Sequence, residues 1–154
     1  MALERTWDGL PVSPEPPYGA AVIVWAGAPG DPLFLLLHRA HLDTPDDPEW
    51  AWGPPAGARL PGEEIGDCAR RELREETGLE AAIAATGFGN PDWAVYAVKL
   101  AVPGSVVLSD EHDLCFWATV EQVRALVWPD RVQAPLVRWA EAVAVSAASV
   151  PGGG

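Results

Sequence analysis

The sequence is short of basic residues, cysteines and long apolar runs. Its 154 residues include one lysine, Lys99, and 10 Lys and Arg in total against 22 Asp and Glu, so the formal net charge is −12. Proteins that coat nucleic acid or dock on anionic lipid rely on clustered basic side chains, so both classes are excluded. A small phosphate ligand is still allowed, because a divalent cation can join an acidic protein to an anion.

The cysteines and the apolar pattern predict a cytoplasmic protein. Cys68 and Cys115 are too few for a disulfide framework and lack metal-site spacing, so we expect two buried thiols in a reducing compartment. No apolar run approaches the ~20 residues that span a bilayer, so no membrane partner is expected. The first residues have neither a basic leader nor a continuous apolar segment, which argues against a secretory signal.

An apolar content of 49% with eight Trp residues predicts a globular domain, because that much apolar surface offsets the entropy cost of ordering the chain. Four prolines predict an irregular arm over residues 1–17. We place the folded domain at residues 18–148 and a flexible tail at residues 149–154.

Apolar runs and helical periodicity predict mixed strands and helices in an α/β or α+β layer architecture. A polar loop with two prolines covers residues 43–50. The predicted strands are 20–26, 33–37, 93–102, 105–108 and 114–118, and the predicted helices are 66–77, 121–126 and 130–146. Gly78 follows the first helix as a natural left-handed cap.

Three glutamates of the first predicted helix share one face. Glu72, Glu75 and Glu76 stand at positions i, i+3 and i+4, where like charges cost roughly 0.2 to 0.5 kcal/mol per pair. A hard divalent cation such as Mg²⁺ would reward this arrangement, because it prefers several carboxylate oxygens together with substrate phosphates. A solvated acidic face balanced by neighbouring arginines is the alternative, and the surrounding pattern decides between them.

Residues 57–79 resemble the Nudix box, G-x5-E-x7-R-E-U-x-E-E-x-G-U, where U is aliphatic. The sequence GARLPGEEIGDCARRELREETGL matches all seven fixed identities and both aliphatic positions at the family's spacing. The resemblance implies an α/β/α sandwich with a mixed central sheet. It also implies a hydrolase in which Mg²⁺, or Mn²⁺ as a substitute, activates water to cleave a pyrophosphate linkage.

The resemblance assigns roles to the residues of the box. Glu75 and Glu76 match the family's main metal-binding pair, and Glu72 matches a third carboxylate that acts as ligand or as the base. The carbonyl of Ala56, the residue before the box glycine, completes the metal shell. Arg71 is grouped with the catalytic residues because it orients their carboxylates.

The resemblance also suggests roles for residues outside the first predicted helix. Glu63 of the box is expected to form a structural ion pair with a nearby residue. Glu111 lies in a segment that supplies a further metal ligand in many relatives, with His112 as second candidate.

The resemblance also suggests substrate contacts. Arg39, at the end of the second strand, and Arg59, inside the box, are candidate phosphate contacts. Trp52, like its neighbour Trp50, is a candidate for stacking on a base, although a packing role is equally open.

The substrate class stays open. The chain reads PPAGARLPGEE where many nucleoside triphosphate hydrolases of the family carry two glycines and a lysine. A PAG start is familiar from relatives that act on ADP-ribose and related nucleotide sugars. Their proline marker, 15 or 16 residues past the box, is not met, since Pro91 lies 12 residues after Leu79.

Two functional hypotheses follow. The first is a pyrophosphohydrolase, monomeric or homodimeric, acting on a nucleotide such as a nucleoside triphosphate, a nucleotide sugar or a dinucleoside polyphosphate. The second is a Nudix domain that binds or senses a nucleotide without cleaving it. Such domains usually lose carboxylates of the box, whereas Glu72, Glu75 and Glu76 are all present here.

Overall fold

The structure is a computed structural model that describes residues 4–6, 9–40 and 50–149, with side chains to residue 146. Most of the predicted loop at 43–50 and parts of the predicted arm and tail lie outside the described residues. The elements, in chain order, are β1 (Gly19–Ala28), β2 (Asp31–Arg39), β3 (Trp52–Gly53), β4 (Ala56–Ala58), α1 (Ile65–Thr77), β5 (Ala84–Ala85), β6 (Trp93–Lys99), β7 (His112–Ala118), α2 (Val120–Leu126) and α3 (Asp130–Ser149).

Strand β1 lies at the centre of a mixed sheet. It pairs in parallel with β6 on one edge, and on its other edge it pairs antiparallel with β4 near its start and with β2 near its end. Strand β2 then pairs antiparallel with β3 and β7, and β5 pairs antiparallel with β6. The parallel pairing of β1 with β6 is possible because the long connection through α1 separates the two strands in the chain.

The sheet separates two hydrophobic cores, because successive strand residues point to opposite faces. Val22 and Val24 pack against α1, whereas Ile23 and Trp25 pack on the other face with residues of α2 and α3. Phe34 joins the second core, and its neighbours along β2 alternate in the same way. One helix on one face and two on the other make an α/β/α sandwich, which confirms the predicted fold class.

One predicted strand is absent. Residues 105–108 form no strand, and the predicted strand 93–102 ends at Lys99. The segment runs past the end of α1 instead, where the Val107 N–H donates to the Thr77 carbonyl at 2.8 Å. The Thr77 carbonyl belongs to the last turn of α1 and has no partner within the helix, so it accepts the Val107 N–H. That N–H is then not available to pair with a neighbouring strand.

Several smaller features also bear on the predictions. Cys68 is buried as expected, but the expectation is wrong for Cys115, which is exposed on β7. The Ser13 N–H donates to the Arg59 carbonyl at 2.7 Å, so part of the segment before β1 packs on the loop that precedes α1. Within the described ranges, no helix is both long and apolar enough to cross a membrane.

Candidate functional site

Helix α1 brings two of its glutamates into the protein interior. The helix consists largely of strong helix formers and ends at Gly78, whose φ of 74° places it in the left-handed region and whose N–H donates to the Arg74 carbonyl at 2.8 Å. Because the helix packs through its apolar face on the sheet, residues beside that face are carried inward with it. Glu72 and Glu76 are buried for this reason, although they are charged residue types.

The loop before α1 approaches the same carboxylates closely. Gly57 lies in β4, and a Cβ atom at this position would overlap the Glu72 carboxylate. Only glycine allows this approach, which explains the residue at the start of the box. One residue earlier, the Ala56 N–H donates to Glu76 Oε2 at 2.9 Å. The short strand therefore sets the position of both buried glutamates.

Glu76 is the most buried carboxylate of the site, at 2% exposed. Burial raises its pKa to about 10, and the nearby Glu72 and Glu111 carboxylates add to the increase. The hydrogen bond from Ala56 acts in the opposite direction but does not offset these effects. A carboxylate in this setting takes up a proton or a cation, because its charge is poorly compensated by the protein.

The start of β7 supplies the facing side of the site. Ligand atoms of Glu76, Glu111 and His112 all lie within 4.8 Å of one another. Glu111 is held by its backbone, since its carbonyl accepts the Ala40 N–H at 2.9 Å just beyond β2. Burial lowers the pKa of His112 to about 4, so its imidazole is neutral at pH 7. Two oxygen donors and a neutral imidazole form a set that binds divalent cations.

Arg71 joins the remaining carboxylates in one network. Its guanidinium donates to both oxygens of Glu63, at 2.8 and 3.0 Å, and to the Ala58 carbonyl at 2.8 Å. It also contacts Glu72 at 2.8 Å and Glu75 at 3.2 Å. Burial raises the pKa of Glu63, but the hydrogen bonds from Arg71 and Leu60 outweigh it and the net shift is downward. Glu63 is therefore a charged anchor for Arg71.

Glu72 lies between the Arg71 network and the buried Glu76. Burial raises its pKa to about 7; the Arg71 guanidinium opposes this increase, and Glu75 and Glu111 add to it. Glu75 differs from Glu72, because its side chain is 53% exposed whereas that of Glu72 is 9% exposed. The structure thus brings Glu72, Glu76 and Glu111 together and leaves Glu75 at the rim, on Arg71.

The predicted substrate contacts have different surroundings. Arg59 donates to the Glu63 carbonyl at 2.6 Å and to carbonyls of residues 15–17 at 3.4 Å, so its guanidinium holds backbone segments together. Trp52 is half-buried between His38, at 4.8 Å between ring centroids, and Phe116, at 5.1 Å. Arg39 is exposed at the end of β2, opposite His112 in the strand pairing. Of these three residues, Arg39 has the setting of a substrate contact.

Sequence reasoning missed two features beside the site. The Arg131 guanidinium lies 4.8 Å from the centroid of the Trp50 ring, and Arg39 lies 6.0 Å from the same ring. His38 Nδ1 lies 2.7 Å from an Asp113 carboxylate oxygen, next to His112 on β7. Spacing along the chain does not reveal either contact, because each joins segments that are distant in sequence.

Comparison with known proteins places this geometry in context. A family model described as NUDIX domain matches residues 16–140. The solved structure of a C. elegans Ap4A hydrolase is 25% identical, with a TM-score of 0.62, over 83% of this chain and 97% of that one. A Nudix hydrolase from M. smegmatis is 23% identical, with a TM-score of 0.64, over 96% and 94%.

A more distant structural likeness involves a bound nucleotide. The NUDIX domain of Shewanella oneidensis NrtR, solved in complex with ADP ribose, is 13% identical, with a TM-score of 0.56, over 80% of this chain and 85% of that one. No curated protein sequence matches the chain.

Proposed function

The chain belongs to the Nudix family of hydrolases, which act on pyrophosphate bonds, and we propose that it is an Mg²⁺-dependent pyrophosphohydrolase. Its substrate is a nucleoside diphosphate linked to a further group, as in a nucleoside triphosphate, a nucleotide sugar or a dinucleoside polyphosphate. Mn²⁺ is the expected substitute for Mg²⁺. Among these substrates, the likeness to the C. elegans Ap4A hydrolase makes the dinucleoside polyphosphates the first class to test.

The observation that carries the proposal is the convergence of the buried Glu72 and Glu76 with the half-buried Glu111. The pKa of Glu76 rises to about 10 and that of Glu72 to about 7, with burial as the main cause and mutual repulsion as a further one. Such crowding of buried carboxylates destabilises the metal-free fold. A divalent cation relieves both the burial cost and the repulsion.

The donor atoms fit a hard divalent cation. Carboxylate oxygens of Glu76 and Glu111 lie within 4.8 Å of each other and of His112, and Mg²⁺ prefers oxygen donors. The proposed ligands are Glu72, Glu75, Glu76, Glu111 and the Ala56 carbonyl. When bound, the ion lowers the pKa of coordinated water and neutralises charge on the phosphoryl oxygens.

Glu72 is the proposed base. Its Oε1 is held in place by Arg71 at 2.8 Å, and an ionised carboxylate so positioned can accept a proton from water. The carboxylate takes a proton from the attacking water, the water oxygen bonds to phosphorus, and the bridging P–O bond breaks with its electron pair leaving on the departing phosphate. Arg71 acts as a positioning residue, because Glu63 and the Ala58 carbonyl fix its guanidinium.

A hydrolysis screen tests the proposal. The screen covers nucleoside triphosphates, ADP-ribose, nucleotide sugars and Ap4A with Mg²⁺ or Mn²⁺, and products are separated by anion-exchange chromatography. We expect metal-dependent release of a nucleotide or phosphate product from at least one substrate, and its loss in Glu76→Gln. Absence of turnover across the panel would sink the enzymatic proposal. Calorimetric nucleotide binding without turnover would instead support the nucleotide-sensing hypothesis.

A further inference from the structure

An exposed aromatic ring beside the candidate site is contacted by two arginines. Trp50 is 37% exposed, and the guanidinium carbons of Arg131 and Arg39 lie 4.8 and 6.0 Å from its ring centroid. A tryptophan ring orients a guanidinium by cation–π contact while leaving its N–H donors free to bind an anion. Two such groups on one ring are therefore oriented without being neutralised.

The charge of this Trp50 cluster, defined as Arg39, Trp50 and Arg131, contrasts with the rest of the chain. The net charge is −12, yet neither of the two arginines forms an ion pair within the described part of the chain. Arg131 also lies in the first turn of α3, where the helix dipole disfavours a cation. Two cations that have no carboxylate partner among the described residues, on one exposed ring, favour an anion as the ligand of the cluster.

The backbone fixes the cluster in a strained conformation. Trp50 has a φ of 68°, in the left-handed region that non-glycine residues rarely adopt. Its N–H donates to the Trp128 carbonyl and the Arg39 N–H donates to the Ala51 carbonyl, both at 2.9 Å. Strain of this kind persists only where the surrounding structure imposes it, and it is concentrated at ligand sites.

The cluster adjoins the buried carboxylates through β2. Arg39 faces His112 across the pairing of β2 with β7, and it contributes to lowering the pKa of that imidazole. The next residue, Ala40, donates its N–H to the Glu111 carbonyl at 2.9 Å. The backbone that carries Arg39 therefore adjoins the backbone that carries Glu111 and His112.

We propose that the Trp50 cluster is a subsite for the phosphates of the substrate that lie beyond the cleaved linkage, and that it selects chains longer than a diphosphate. Guanidinium groups suit this ligand, since their paired N–H donors match phosphate oxygens. The inference rests on the proposed function and narrows it to substrates such as Ap4A over ADP-ribose.

Kinetics of Arg131→Gln test the selection. For Ap4A we expect KM to rise about tenfold with kcat within about twofold, because the lost contact is remote from the cleaved bond. For ADP-ribose, which has only two phosphates, KM should stay within about twofold. Arg138→Gln is the matched control, since Arg138 is exposed on the same helix and forms no ion pair within the described residues. Equal KM values for wild type and Arg131→Gln on Ap4A would overturn the subsite.

A binding experiment separates the subsite from catalysis. Inorganic tripolyphosphate is titrated into the protein with EDTA present, by calorimetry, and thermal melting of each variant checks its fold. We expect Arg131→Gln to weaken binding at least about fivefold and Arg138→Gln to leave it unchanged. Weakened binding without hydrolysis of any nucleotide would leave a phosphate-binding site at the Trp50 cluster but would refute the proposed function and, with it, the cluster's role in selecting a hydrolysed chain. Hydrolysis with no effect of Arg131→Gln on either readout refutes the subsite alone.

Discussion

Glu63, just before α1, and Glu76, near the end of α1, are both carboxylates of the candidate site, yet their surroundings differ. Glu63 receives two bonds from Arg71, at 2.8 and 3.0 Å, and one from the Leu60 N–H at 3.2 Å, and its pKa lies below the usual value although burial acts to raise it. Glu76 accepts one N–H, from Ala56, and faces Glu72 and Glu111, and its pKa rises to about 10.

The contrast teaches that donors can reverse the effect of burial where there are enough of them: Arg71 and Leu60 bring the pKa of Glu63 down, whereas burial dominates at Glu76. Arg71 directs most of its N–H groups to Glu63, Glu72 and the Ala58 carbonyl, and Glu76 has no contact with it. Glu63 is satisfied, Glu72 has the Arg71 guanidinium on one side only and its pKa still rises, and Glu76 lacks positive charge. A metal ion would supply the positive charge that Glu76 lacks.

The strongest test of the contrast is Glu76→Gln. We expect kcat to fall about 10³-fold, because an amide keeps the shape but removes the charge that stabilises the transition state through the metal. Glu64→Gln is the control, since Glu64 is exposed at the start of α1 and makes no capping hydrogen bond. Circular dichroism checks that both variants fold. Retention of more than about a tenth of the activity would contradict the assignment.

On the satisfied side, Arg71→Met should cost stability. Removing the guanidinium leaves Glu63 and the Ala58 carbonyl without their partner, so we expect the free energy of unfolding to fall by about 3 kcal/mol in urea denaturation. Arg70→Met is the matched control, because Arg70 is exposed and pairs with Asp67 at 3.1 Å. Its effect should stay below about 1 kcal/mol. Equal effects of the two variants would remove the distinction between network and surface pair.

Glu75→Gln tests the residue between the two groups. Glu75 is exposed and its Oε2 lies 3.2 Å from Arg71, which leaves its other carboxylate oxygen as the donor for a metal. We expect kcat to fall about tenfold, with Glu80→Gln, an exposed residue past the helix, as the control. A loss as large as that of Glu76→Gln would place Glu75 with the buried group, and no loss would remove it from the site.

The pH dependence of stability tests the crowding of Glu72 and Glu76 without a substitution. The pKa values of Glu72 and Glu76 in the fold, about 7 and about 10, exceed the unfolded value of 4.5, so the folded chain binds more protons between these limits. Metal-free stability should therefore fall as pH rises from about 5 to about 9.

Mg²⁺ replaces those protons, so it should raise the melting temperature more at pH 8 than at pH 6. We expect the difference to be a few degrees in differential scanning fluorimetry. Glu76→Gln should flatten the profile measured in EDTA. A metal-free stability that rises over this range would show that the carboxylates are not crowded.

The carboxylate helix and its end at Gly78 could be predicted because they depend on local spacing and on one residue's left-handed φ. Glu111 could be proposed from its place in the chain, and β7 does bring it to Glu76. The strand at 105–108 could not be judged locally, since the Thr77 carbonyl competes for its donor. Nor did any pattern indicate that Arg59 binds the carbonyls of residues 15–17, because the two segments are more than 40 residues apart in the chain.

By itself, the sequence determined the α/β alternation and the family, because periodicity and the spacing of Gly57, Arg71 and the glutamates are properties of neighbouring residues. The tertiary structure alone decided which glutamate is satisfied and which is crowded. It also decided that Trp50, rather than Trp52, is the ring that contacts Arg39 and Arg131. Burial, donor count and repulsion depend on segments far apart in the chain, so they exist only once the sheet and helices have packed together.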